Sequence, residues 1–175
     1  MSRTFTAHSA LGEQLQFRSL TGHEQMGKLF RFDVNLLSQS DSIDPKSLLG
    51  TDLTVEIDLT TEAGGGGARY LSGQVTAFQF IGRDGDAYSY QAILQPWLWL
   101  ATRRTDFKIF QNKKVPDIVQ EVLAPYGFTV ENRLSFPYRT WDYMVQYGES
   151  DCDFVNRILE HEGAYILNTK WAATK

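Results

Sequence analysis

Few residues in this sequence have the types and spacing that chemistry needs. The three histidines, His8, His23 and His161, lie far apart, and none forms a pair at metal-ligand spacing. His161-Glu162 has the start of a zinc-protease helix motif, but the second histidine one turn later is missing. The run Gly64 to Gly67 suggests a phosphate loop, yet no Gly-Lys-Ser/Thr follows it and no helix is expected to start there. It reads as a flexible hairpin loop. No serine sits in a Gly-x-Ser-x-Gly elbow, and the carboxylates fall mostly on strand faces that meet solvent. Cys152, the single cysteine, falls among apolar helix positions, so it reads as a buried small hydrophobe rather than a nucleophile. These residues supply no catalytic group, no cofactor-binding group and no metal-ligand set.

The sequence is more suggestive about contacts. Arg103, Arg104, Lys108, Lys113 and Lys114 crowd a segment whose only acid is Asp106. Glu149, Asp151, Asp153, Glu160 and Glu162 face only Arg157 in a second segment. Glu160 and Glu162 fall in the last turn of a helix, where the macrodipole disfavours negative charge by ~0.3–1 kcal/mol each. A carboxylate partly buried there needs a cation, so Glu162 is expected to meet Arg103 or Arg104 within the fold or across a subunit boundary. The plainer alternative is two solvated charge runs. Trp97 and Trp99, set among leucines, read as a core plug, with an exposed docking patch as the other possibility. The candidate interface is therefore Trp97, Trp99, Arg103, Arg104, Glu160 and Glu162, with no catalytic or metal residue.

The elements that must position these residues follow from periodicity. Phe5 to His8 and Leu15 to Leu20 read as strands around a Leu11-Gly-Glu turn, and 21–27 as a loop bounded by glycines. Phe30, Phe32, Val34 and Leu36, then Leu53, Val55, Ile57 and Leu59, alternate with polar residues as half-buried strands do. A short turn is expected around Pro45 to Gly50. Tyr70 to Ile81 is a long strand, with a bulge or bend expected at Gly73. Gly82 to Asp86 turns it into Ala87 to Gln95. About six strands with little helix between them predict an antiparallel β-barrel over residues 1–100.

From residue 101 the pattern changes to a small α/β unit with two amphipathic helices, ending near 167, with 168–175 as a tail. Phe107 to Gln111 and Phe128 to Val130 read as strands, and 136–141 as an aromatic loop. Pro116 opens a helix carrying Ile118, Val119, Val122 and Leu123 on one face, stopped at Gly127. Met144 to Tyr147 is a strand leading into a second helix. Ser150 and Asp153 provide a capping box for it, and Gly163 a left-handed stop. Cys152, Phe154, Val155, Ile158 and Leu159 fall within an arc of roughly 160°. The fold class is thus mainly β with an α+β appendage.

Composition limits the partners. The 175 residues carry a formal net charge of −4, which does not favour binding to nucleic acid or anionic lipid. No apolar run approaches the ~20 residues that span a bilayer, so no membrane insertion is expected. The N-terminus lacks the apolar core of an export signal. One cysteine excludes an internal disulfide.

Several short stretches together resemble a known family. Leu20-Thr-Gly-His-Glu-Gln-Met-Gly27 followed by Phe30-x-Phe, Leu49-Gly50, Gly73-x-Val75, Tyr90 and Pro96-Trp-Leu-Trp-Leu100 are similar to the VgrG proteins of bacterial type VI secretion. So are Ile109-Phe-Gln111, Val115-Pro-Asp-Ile118, Val145-Gln-Tyr-x-Glu-Ser-Asp151, Phe154-Val155 and Glu160-x-Glu-Gly163. The resemblance runs in order to about Tyr165. It departs at Lys114, where a serine or threonine often caps the helix, and at the tail 168–175. It implies a tail-hub-like, non-enzymatic module of a trimeric spike whose barrels surround a three-fold axis. The implied partners are further copies of itself, the hexameric Hcp tube, and effector or adaptor proteins. The implied route is assembly in the bacterial cytoplasm, then export by the secretion machine to the outside or into target cells. Two alternatives stand beside it: the hub of a contractile phage tail or related injection system, and a cell-wall hydrolase domain.

Overall fold

The computed structural model describes residues 4–59, 66–134 and 137–167, so the tail 168–175 and parts of two expected loops (60–65 and 135–136) lie outside the described residues. The described residues divide into two compact units, the first comprising 4–25 and 29–96, the second 26–28 and 97–167.

The first unit is a six-stranded antiparallel sheet of β1 (Phe5–His8), β2 (Gln16–His23), β3 (Arg31–Ser38), β4 (Asp52–Asp58), β5 (Ala68–Asp84) and β6 (Ala87–Gln95), in the order β1-β4-β5-β6-β3-β2. Its apolar alternation becomes one buried row, with Val34, Leu36, Leu53, Val55, Ala92 and Leu94 all at 0% exposure. Each valine or leucine of this row contributes about 1.5–3 kcal/mol by leaving water. Register shifts between Val75 and Ala77, and between Phe80 and Gly82, bend the 17-residue β5, because each extra residue sharpens the local twist. The sheet thereby curls into a half-barrel. β1 and β2 are its two ends, and the stacked rings of Phe5 and Phe17, 5.1 Å apart, bring them together where no ladder does.

The connection from β3 to β4 crosses the sheet past β6 and β5, with a 3-10 turn at Pro45–Ser47. Tyr90, 1% exposed, fastens it: its hydroxyl donates to the Ser40 carbonyl (2.9 Å) and accepts from the Ile43 amide (3.4 Å).

Two glycines carry meanings the sequence reading did not assign. No bulge occurs at Gly73, which pairs regularly with Leu53. A Cβ there would lie 3.1 Å from the Gln95 carbonyl, the Leu94 side chain and the Phe30 ring, so the glycine makes room for packing. Residues 21–23 are not loop but continue β2, and a Cβ on Gly22 would come within 2.4 Å of the Phe32 ring. The hairpin turn at Gly85-Asp86 forms as expected, with Gly85 at φ 62°.

The second unit holds a 3-10 segment (Trp97–Thr102), β7 (Thr105–Lys114), α1 (Val115–Leu123), a 3-10 turn (Ala124–Tyr126), β8 (Thr140–Ser150) and α2 (Asp151–His161). β7 and β8 form an antiparallel pair. Residues 128–130 are not a strand, since no described strand pairs with them. Instead Phe128 stacks on Trp97 at 4.9 Å.

Candidate interaction site

The two faces of the β7–β8 pair differ sharply. Inward, Phe110 is 2% exposed and stacks on Phe154 of α2 at 5.5 Å, while Val115, Ile118 and Ile158 close the core. Outward stand Phe107 (68% exposed), Ile109 (64%), Tyr143 (67%) and Tyr147 (79%). Register explains the grouping, because Phe107 lies opposite Tyr147, Ile109 opposite Val145 and Gln111 opposite Tyr143. These six residues carry no charge. The rings of Phe107 and Tyr147 meet edge to face at 5.2 Å. Asn112, at φ 51°, breaks the alternation, and Lys108 and Lys113 both reach Glu121 of α1. The lysines hold the Glu121 carboxyl below the usual carboxylate range through hydrogen bonds, Lys113 first and Lys108 second. Charge is thus gathered on the helix side, and the outer face is left apolar.

A polar knot fixes the end of this pair against α2. Asp151, at the first position of α2, is 3% exposed. Its carboxylate accepts from the Tyr126 hydroxyl (2.7 Å) and from the Gln146 amide (2.8 Å). Arg104 Nε lies 3.8 Å away, and the Asp151 amide donates to the Arg104 carbonyl at 2.9 Å. Burial, and then the hydrogen bond to Asp151, push the Tyr126 phenol well above its ordinary range. Ser150 caps α2 by accepting from the Asp153 amide (3.0 Å), as expected. The returning half of the box differs: the Ser150 hydroxyl donates to the Asp153 carboxylate at 2.6 Å.

The sequence-derived interface residues are only partly brought together. Arg103 lies over the Trp99 ring at 5.7 Å, and Trp97 is engaged with Phe128. Arg104 pairs with Asp106 (3.5 Å) as well as Asp151. Glu160 is exposed. The expected pairing of Glu162 with Arg103 or Arg104 is not made within the chain: half-buried Glu162 accepts from Trp141 Nε1 at 2.9 Å. Helix length supplies the reason. Arg104 sits at the N-terminal end of α2, and Glu162 is eleven positions further along, about 16 Å at 1.5 Å per residue. The opposed charge segments do lie side by side, but Asp151 is the acid that meets the arginine.

Sequence reasoning missed Asp151, Gln146 and Tyr126 as a group. A usable signal existed in an aspartate at the first helical position preceded by a glutamine on the inward parity of β8. Among the described residues, no cluster of three or more His, Cys, Asp or Glu side chains could hold a metal. No described helix is long and apolar enough to cross a membrane.

Residues 23–173 match the family described as phage tail baseplate hub (GPD). The chain belongs to that family. It is 42% identical over 166 residues to the type VI secretion system spike protein VgrG1c of Pseudomonas aeruginosa, covering 94% of this chain and 22% of the relative. The hub chain therefore spans about a fifth of that spike's length. Its fold matches an Escherichia coli protein, c3393, reported as a component of the type VI secretion system with structural similarity to the T4 phage tail proteins gp27 and gp5. That match has a TM-score of 0.70 at 28% identity, over 89% of this chain and 42% of the other. A 43 kDa prophage tail protein from Shewanella oneidensis shares the fold at TM-score 0.60 and 15% identity, over 93% of this chain and 49% of its own.

Proposed function

We propose that this chain is the N-terminal hub region of a VgrG-like spike, a structural module that assembles with further copies of itself around a three-fold axis and docks on the Hcp tube. The 42% identity to VgrG1c over 94% of the chain carries this reading. The half-barrel supports it, since a curled sheet with one continuous buried core gives a rigid body whose rim can stack on a ring without rearranging. In this reading the spike is assembled in the bacterial cytoplasm and exported by the secretion machine to the outside or into target cells, with effectors or adaptors carried on other parts of the protein. Trp97, Trp99, Arg103, Arg104, Glu160 and Glu162 remain the proposed subunit-boundary residues.

A second reading, the hub of a contractile phage tail, draws on the family description and on the fold shared with the prophage tail protein. Identity favours the first, because the spike relatives stand far closer than the 15% of the prophage protein. Sedimentation of the chain mixed with purified Hcp hexamers tests it. Co-migration is expected, and independent boundaries at high micromolar concentration of both would count against docking.

A further inference from the structure

The first unit carries a half-open groove of about 420 Å³ beside the start of β2 and the end of β3, a volume within the range of small-molecule sites. One wall is the 3-10 turn Gly12–Gln14 and the strand start that follows it, with Glu13, Gln14 and Gln16. The other is the end of β3 and the bend after it, with Ser38, Gln39 and Ser40. Leu37, opposite Gln16 in the ladder, and Ala87 supply apolar surface between them. Both walls are fixed by the fold. The Gln14 amide donates to the Leu11 carbonyl at 3.2 Å, and Leu15, 2% exposed, anchors that turn in the core. Ser38, itself buried, accepts from the Ser40 amide at 3.1 Å, while the Tyr90 hydroxyl holds the Ser40 carbonyl.

We infer that this groove binds a neutral sugar unit, an N-acetylated hexose, with its hydroxyls on the glutamines and its acetyl methyl against Leu37 and Ala87. The lining selects this class. Among its described residues Glu13 is the only charged one, and it is exposed. An anion would therefore meet a carboxylate with no cation beside it, and a cation would gain little from one solvated acid. A single carboxylate is too few ligands for a metal ion, and no aromatic ring lines the groove to stack a planar base. What remains is hydrogen bonding without charge. Each of the three carboxamides offers two donors and an acceptor, and each serine a hydroxyl. A carboxamide suits two neighbouring sugar hydroxyls, since its N–H donates to one while its oxygen accepts from the other. The small apolar surface between the walls matches one methyl group rather than a hydrophobic ligand. The assignment rests on this lining and not on the hub reading, so either can fail without the other.

The test is a titration of the whole chain, followed by amide nuclear magnetic resonance, with N-acetylglucosamine and its β-1,4-linked disaccharide as probes. Saturable shifts are expected at millimolar sugar, concentrated at residues 13–16, 37–40 and 87. Gln16→Ala with Gln39→Ala removes one carboxamide from each wall and should raise the dissociation constant about tenfold. Both side chains are exposed, so an unchanged melting temperature is expected and shows that the variant folds. Gln79→Ala, which trims an exposed carboxamide bonded to Gln91 on the same sheet, is the control and should leave binding unchanged. No saturable shift with either sugar overturns the inference, as does binding that survives the paired substitutions. Putrescine and inorganic phosphate are the ionic probes. Shifts at these residues with either of them, and none with the sugars, would also overturn it and assign the groove to an ion.

Discussion

Removing the Asp151 carboxylate should unfasten the second unit. Asp151→Ala deletes the acceptor for two side-chain hydrogen bonds, from Tyr126 and Gln146, and strands the 1%-exposed Gln146 amide on its weaker contact with the Glu149 carbonyl at 3.2 Å. A hydrogen bond to a charged group contributes about 1.5–3 kcal/mol, and an unsatisfied buried amide costs about 1–3 kcal/mol. Since Asp151 also favours the N-terminus of α2, the total is about 3–5 kcal/mol. Tyr126→Phe, which removes one donor from a half-buried ring, should cost about 1.5–3 kcal/mol. The double variant should fall short of the sum by more than ~1 kcal/mol, because both substitutions break one bond. Three of the four tryptophans, Trp97, Trp99 and Trp141, lie in the second unit, so urea melts followed by tryptophan fluorescence report largely on it. With m of about 1–1.5 kcal/mol/M for so small a unit, Asp151→Ala shifts the midpoint by 2 M or more. A high-pH arm adds an independent sign. The phenol pKa is raised in the folded state, so its contribution is complete below the ordinary tyrosine value of about 10 and is lost as pH rises above that toward the folded value. Tyr126→Phe should flatten that alkaline decline. Strictly additive single variants, or an unchanged alkaline limb, would refute the knot.

Other outcomes follow from packing and burial. Ile158 is 1% exposed, so Ile158→Ala should cost about 2–5 kcal/mol in the same fluorescence melt; superimposable curves would contradict the facing of α2. Burial, and then the neighbouring Asp153, push the Cys152 thiol up to about 11, so a thiol reagent at pH 7–8 should leave native protein unlabelled and react stoichiometrically in urea. Gly22→Ala would drive a methyl into the Phe32 ring and the Arg31 carbonyl, and should lower the melting temperature of the first unit by calorimetry, whereas Gly12→Ala, with open space around it, carries only the backbone cost of its positive φ.

The elements with clean periodicity were legible in the sequence. The alternation in β3 and β4, the Ser150 cap and the apolar arc of α2 are local signals, and burial follows them except at the end of β4, where Ile57 is half-buried and Leu59, beyond the strand, is 37% exposed. Long-range placement was not legible. Nothing local says that Phe5 and Phe17 meet, or that Gly22 faces Phe32 across a ladder. The misassigned bulge at Gly73 has the same origin, since a glycine that admits a neighbour looks in sequence like one that permits a bend. The same limit produced the Glu162 expectation, where net charge was read correctly but helix length decided which acid reached Arg104. The exposed face of β7–β8 went unread because Phe107, Ile109 and Tyr147 look like any half-buried strand until the helices choose a side.

A chimera tests the central claim most directly. This chain would replace the matching region of VgrG1c in Pseudomonas aeruginosa lacking its other spike proteins, with Hcp measured in the culture medium. If the chain is the hub region of a VgrG-like spike, Hcp export should return to a substantial fraction of the parental level. A chimera that accumulates as a folded trimer yet exports no Hcp would contradict the account.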